Sequence, residues 1–99
     1  MDYTLRYTKK ALSDLDEIVG RIAEDDDEAA SRFGGSLLDH IDLLARFPRM
    51  GALIRKRRNI CKLVHSPFLI YYRTHEEKHL VEVLHLRHGA RRPPRSEIR

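Results

Sequence analysis

At 99 residues the chain has room for one domain and not two, and 41% hydrophobic against 34% charged residues excludes a disordered polyelectrolyte. A lone cysteine, Cys61, excludes an internal disulfide, and with no signal core in Met1-Asp2-Tyr3-Thr4-Leu5-Arg6 and no apolar run near membrane-spanning length, the expected location is the cytoplasm. The net charge of +4 joins two unlike halves: residues 1–50 hold seven Lys/Arg against eleven Asp/Glu, and residues 51–99 hold twelve against four. That polarity has two meanings: a second half that meets an anionic partner, nucleic acid or acidic protein, or a basic face kept for solubility.

In chain order, residues 2–8 alternate, with Tyr3, Leu5 and Tyr7 on one face, which predicts a short strand. Thr8 can cap the helix that follows. Ala11, Leu12, Leu15, Ile18, Val19 and Ile22 form its apolar stripe, and Asp14, Glu17, Arg21 and Glu24 face water. The acidic run 24–28 marks a tight turn, with Asp26 or Asp27 capping a second helix. Ala30, Phe33, Leu37, Ile41 and Leu44 carry that helix's stripe, Gly34 and Gly35 are placed for close helix approach, and Pro48 stops it. Residues 49–58 read as a connection holding the cluster Arg55-Lys56-Arg57-Arg58. Three strands are predicted at 59–65, 68–73 and 80–86, joined by short turns at Ser66-Pro67 and at 75–78, and these make an antiparallel meander. The predicted fold is α+β, in the order β-α-α-β-β-β, a helical hairpin packed on one face of a small, mainly antiparallel sheet. The first strand lies at an edge or beside the last strand. Residues from Gly89 onward form a basic, proline-containing tail.

Four stretches resemble, in order, the motifs of the ParE/RelE toxin superfamily, in its ParE-like branch. Ala11-Leu12-Ser13-Asp14-Leu15-Asp16-Glu17-Ile18 is similar to the family's "A-x-x-D-L-x-x-I" start. Leu44-Ala45-Arg46-Phe47-Pro48-Arg49-Met50-Gly51 is similar to its "L-x-x-x-P-x-M-G" junction, and Phe68-Leu69-Ile70-Tyr71-Tyr72-Arg73 to its "I-x-Y-R" strand. Val83-Leu84-His85-Leu86-Arg87-His88-Gly89-Ala90-Arg91-Arg92-Pro93 resembles its closing "V-L-x-x-x-H-G-A-R-x-P". The resemblance covers residues 3–93. It implies the RelE/ParE fold, with one toxin domain over residues 1–93 and a basic tail at 94–99.

It also implies the toxin of a type II toxin–antitoxin pair, silenced in a hetero-oligomer with a ParD-like antitoxin. A helix of that antitoxin would dock in the groove beside the helical hairpin, and a further segment could add at the edge strand. ParE-like members are associated with poisoning DNA gyrase, and RelE-like members with cutting mRNA on the ribosome. An inactive member that only binds antitoxin is the third possibility.

A metal-independent ribonuclease needs an acid–base group and cations for the charge developing on phosphorus. The candidates are His88 as acid or base, with Arg58, Lys62, Arg73 and Arg87 as cations and Tyr71 or Tyr72 to orient the substrate. A pair of acid–base groups at defined spacing is missing from the sequence, which leaves the gyrase reading ahead. For that reading the target-binding patch is Arg87, His88, Arg91 and Arg92. The six histidines show no metal-ligand spacing, with His85 and His88 on opposite faces of a strand, so no metal or other cofactor is expected. Cys61 reads as a buried structural thiol, no serine sits in a nucleophile-elbow motif, and there is no Gly-rich phosphate loop.

Overall fold

A computed structural model describes residues 2–90. Strand β1 (Thr4–Tyr7) leads into α1 (Lys9–Asp25) and α2 (Asp27–Asp42), which closes in a 3-10 turn at Leu43–Ala45. Strands β2 (Ala52–Arg55), β3 (Ile60–His65), β4 (Phe68–His75) and β5 (Leu80–His88) follow. The sheet order is β1-β5-β4-β3-β2, antiparallel except where β1 runs parallel to β5. The first strand is therefore both at an edge and beside the last strand.

The helix boundaries follow from short polar side chains. Thr8 Oγ1 accepts from Ala11 N at 3.0 Å and caps α1. One residue, Asp26, separates the helices. Its N–H ends α1 on Ile22 O, while its carboxylate accepts from Ala29 N at 3.1 Å and starts α2. Leu37, Ile41 and Leu44 pack with Ala11 against Cys61, Leu63, Ile70, Tyr72, Val81, Val83 and Leu86, and all eleven are buried. Each large aliphatic side chain in such a core contributes about 1.5–3 kcal/mol. Tyr3, Leu5, Tyr7, Leu15, Ile18 and Phe33 form a half-buried rim around it.

Several expectations need correction. Residues 52–55 are not a connection but a fifth strand, paired antiparallel with β3 through Ala52↔Lys62, Leu53↔Cys61 and Arg55↔Ile60. The pattern hid it because the strand is four residues long, does not alternate, and exposes both Leu53 and Ile54. The basic cluster folds into a 3-10 turn, Lys56–Arg58, that closes on Asn59 at φ 53°. Leu12, placed in the buried stripe, is 51% exposed. Asp14, placed toward water, points inward and binds the backbone of β5. Neither mid-helix glycine is required for helix approach: a Cβ at Gly34 would make an ordinary contact with Val19 Cγ2 at 3.4 Å. A Cβ at Gly35 would meet nothing within 4 Å.

The junction between helices and sheet is pinned by one side chain. Tyr72 Oη donates to Pro48 O and accepts from Gly51 N, both at 2.9 Å. Gly51 has no room for a side chain, because a Cβ would lie 2.7 Å from Lys62 O and 2.8 Å from Tyr72 Oη. The Pro-x-Met-Gly stretch thus has a physical reason: the helical run already ends at Ala45, before Pro48, whose carbonyl receives the Tyr72 hydroxyl, and glycine lets the chain pass over that buried tyrosine.

Candidate functional site

The helices cover one face of the sheet and leave the other open. Which side chains reach the open face is set by a bulge in β5. Tyr72 pairs with Val83 but Tyr71 pairs with His85, so Leu84 is an extra residue and the alternation shifts by one. Val81 and Val83 before the bulge and Leu86 after it all point into the core. His85 and Arg87 are thereby turned outward.

The first helix holds this bulge. Thr8 Oγ1 donates to Leu84 O at 2.7 Å, and Asp14 Oδ2 accepts from Leu86 N at 2.9 Å. Two backbone groups on either side of the irregularity are thus satisfied by side chains rather than by a neighbouring strand. That is the structural role of the aspartate in the Ala-x-x-Asp-Leu stretch.

On the open face Tyr71 is the centre. It is 3% exposed, its ring stacks on His85 at 4.6 Å between centroids, and Arg87 Nη2 donates to its hydroxyl at 2.9 Å. The Arg87 guanidinium also lies 5.5 Å from the Tyr71 ring centroid. Lys62 stands opposite Tyr71 on β3. Arg73, two residues along β4 on the same face, borders a shallow depression shared with Arg57, Arg58 and His75. Farther toward β1, Glu82 Oε2 accepts from Arg6 at 3.0 Å, and Glu82 Oε1 lies 3.2 Å from His75 Nε2. Burial alone would raise the Glu82 carboxyl, but the hydrogen bonds and charges of His75 and Arg6 outweigh it and hold it below its ordinary value.

The structure thus brings Lys62 and Arg87 together around Tyr71, and Arg58 and Arg73 together beside them. His88 lies elsewhere. It is on the helix-packed side, its ring 5.4 Å edge-on from Phe68, which in turn packs on Phe33 of α2. It borders a cleft of about 290 Å³ with Lys10, Asp14, Glu17 and Arg21 of α1. Arg91 and Arg92 of the proposed target patch, and the tail at 94–99, lie outside the described residues. His85, which sequence reasoning did not single out for chemistry, takes the place beside Arg87 that His88 was expected to occupy. No sequence signal marked it, because its direction depends on the bulge.

This arrangement is a cation-lined surface around a fixed aromatic pair, Tyr71 and His85, and it can hold an anionic group. Cys61 sits beneath the far side, buried, its thiol pushed up by that burial and Sγ 3.9 Å from Asn59 O. Among the described residues no group of three or more His, Cys, Asp or Glu side chains is disposed to hold a metal ion, and no helix is long and apolar enough to cross a membrane.

Comparison with known proteins decides the family. Residues 5–93 match the model of the ParE toxin of the type II toxin–antitoxin system parDE. The chain belongs to the ParE toxin family. A toxin-named protein of Sinorhizobium fredii, Y4kP, is 34% identical over 83 residues, covering 82% of this chain and 85% of its own. Among solved structures, the chromosomal ParDE system of P. aeruginosa superposes with a TM-score of 0.72 at 21% identity, over 87% of this chain and 95% of that one. The RelBE2 toxin–antitoxin complex of Mycobacterium tuberculosis superposes at 0.60 with 27% identity, over 89% and 99%. The chain therefore shares its two-helix, five-strand mixed sheet with both branches of the superfamily. It is a type II toxin–antitoxin toxin of the ParE/RelE superfamily.

Proposed function

We propose that this toxin arrests growth by binding DNA gyrase, without catalysing a reaction of its own, and that a ParD-like antitoxin silences it. The observation that carries the reading is the ParE-family match over residues 5–93, supported by the likeness to the P. aeruginosa ParDE system. The open face is consistent with it. Lys62, Arg73 and Arg87 offer positive charge to an anionic surface, and Tyr71 is held between them by its stack on His85 and the hydrogen bond its hydroxyl accepts from Arg87. Of the sequence-based target patch, Arg87 stands on this face and His88 on the helix-packed side, while Arg91 and Arg92 lie outside the described residues.

For the antitoxin, the supported dock is the groove on the outer side of the helical hairpin. Tyr7, Leu12, Leu15, Val19, Gly34 and Leu38 line it, with Leu12 51% and Leu38 42% exposed. An amphipathic helix could bury these side chains.

A second reading, ribosome-dependent mRNA cleavage, is favoured by one observation: His85, Arg87, Tyr71 and Lys62 converge on a single face. In that reading His85 is the first acid–base candidate, ahead of His88, and Arg58, Arg73 and Arg87 supply charge. Induced expression without antitoxin separates the two, with DNA damage response and transcript integrity read in the same culture. DNA damage with intact mRNA supports gyrase. Discrete mRNA cuts without DNA damage, weakened by His85→Ala, would move the protein to the nuclease branch.

A further inference from the structure

Two histidines from different elements meet away from the open face. His40 lies in the last turn of α2 and His65 at the end of β3. Their Nδ1 atoms are 2.8 Å apart, with ring centroids at 5.0 Å. On the far side of His65, Nε2 lies 3.5 Å from Ser36 Oγ, and Ser36 is one turn before His40 on the same helix. Phe33, a further turn back toward the start of α2, packs edge-on against the His65 ring at 5.5 Å. The strand histidine is thus held from two sides. With its Nε2 proton directed to Ser36, its Nδ1 lone pair faces His40. No carboxylate is paired with either ring in the contacts described.

The geometry points to a two-imidazole site, His40 and His65, for a divalent transition-metal ion of the zinc, copper or nickel class, which staples α2 to β3. Neutral imidazole nitrogens suit these ions. A tetrahedral ion about 2.0–2.1 Å from each nitrogen sets the two nitrogens about 3.3 Å apart, so the nitrogens separate by about half an ångström and both rings tilt until their lone pairs meet at the ion. His40 carries its proton on Nε2 in that state, and no net proton is lost from the neutral pair. Both histidines are partly exposed, so water completes the coordination. No spacing in the sequence marks this site, because the two histidines are 25 residues apart and only the fold joins them.

Such a clamp stabilises the folded chain in proportion to the ion's occupancy, because the unfolded chain does not hold the pair together. The test is thermal unfolding of the full-length toxin titrated with Zn²⁺, alongside His40→Gln and His65→Gln. The expected result is a rise in Tm that saturates at one ion per chain and is absent from both variants. Electron paramagnetic resonance of the wild type with one equivalent of Cu²⁺ provides a readout that does not depend on the variants folding, and two coordinated nitrogens are expected. No rise with Zn²⁺, a rise undiminished in either variant, or copper coordinated by fewer than two nitrogens would overturn the site and leave the pair a plain N–H···N hydrogen bond.

Discussion

Two tyrosines of this domain carry hydroxyls in opposite situations, and the contrast makes a prediction. Burial pushes both phenols up to about 12, with the charge of Asp42 adding to it at Tyr7. Tyr72 Oη serves two backbone groups of the helix–sheet junction, whereas the Tyr7 hydroxyl is buried with no hydrogen-bond partner among the described residues. Removing a hydroxyl that satisfies buried groups costs about 1–3 kcal/mol, and removing an unsatisfied one costs nothing or stabilises. Tyr72→Phe should therefore lower the denaturant midpoint, and Tyr7→Phe should hold or raise it. Equal losses in the two variants would contradict the assignment. Glu82 gives a pH dependence. Its folded carboxyl sits below the ordinary value, so the folded state binds fewer protons than the unfolded state in that range. Its stabilising contribution is complete above the unfolded value of about 4.5 and is lost as pH falls through the lower folded value. The urea midpoint of Glu82→Gln should fall less steeply with acidification below that point than the wild type's; parallel curves would remove the role given to Arg6 and His75.

At the scale of elements, the bulge in β5 is what composes the open face, and α1 keeps it in place. Asp14→Ala leaves the buried amide of Leu86 without its carboxylate, a loss of about 1.5–3 kcal/mol for a hydrogen bond to a charged group. Asp14→Asn retains an acceptor and should recover part of it. The Ala variant should also lose toxicity on expression beyond what its stability loss explains, because His85 and Arg87 follow the bulge. Full toxicity in a folded Asp14→Ala protein would show that their direction does not matter. This element also marks the limit of what the sequence discloses. The helix stripes, both caps and the three longer strands were legible because their periods of 3.6 and 2 are carried by local runs of residues. The bulge was not, since Val83-Leu84-His85 reads as ordinary strand and its extra residue appears only against the pairing of β4. The strand β2 escaped for the opposite reason, being too short and too exposed on both faces to show a period.

For the whole molecule, the four motifs that resembled the ParE family prove to be parts of one scaffold. Asp14 holds the bulge, Pro48 and Gly51 meet Tyr72, and the closing strand presents Arg87 on Tyr71. Residues far apart in sequence were legible as a family before they were legible as a site, because motif order survives where pairing register is invisible. The charge polarity of the sequence also takes shape at this scale, since the second half supplies Lys62, Arg73 and Arg87 to the open face and the first half supplies the hairpin that covers the other. An antitoxin helix on that hairpin should raise the toxin's Tm, and Leu38→Arg should weaken the effect while leaving the free toxin folded. An unchanged Tm at saturating antitoxin would contradict the placement.

The most direct test of the central claim is DNA supercoiling by purified gyrase in the presence of the purified toxin, with and without its antitoxin. The account predicts that supercoiling is blocked or cleaved DNA accumulates, and that antitoxin restores activity. Gyrase indifferent to a toxin preparation that still arrests growth on expression would contradict it.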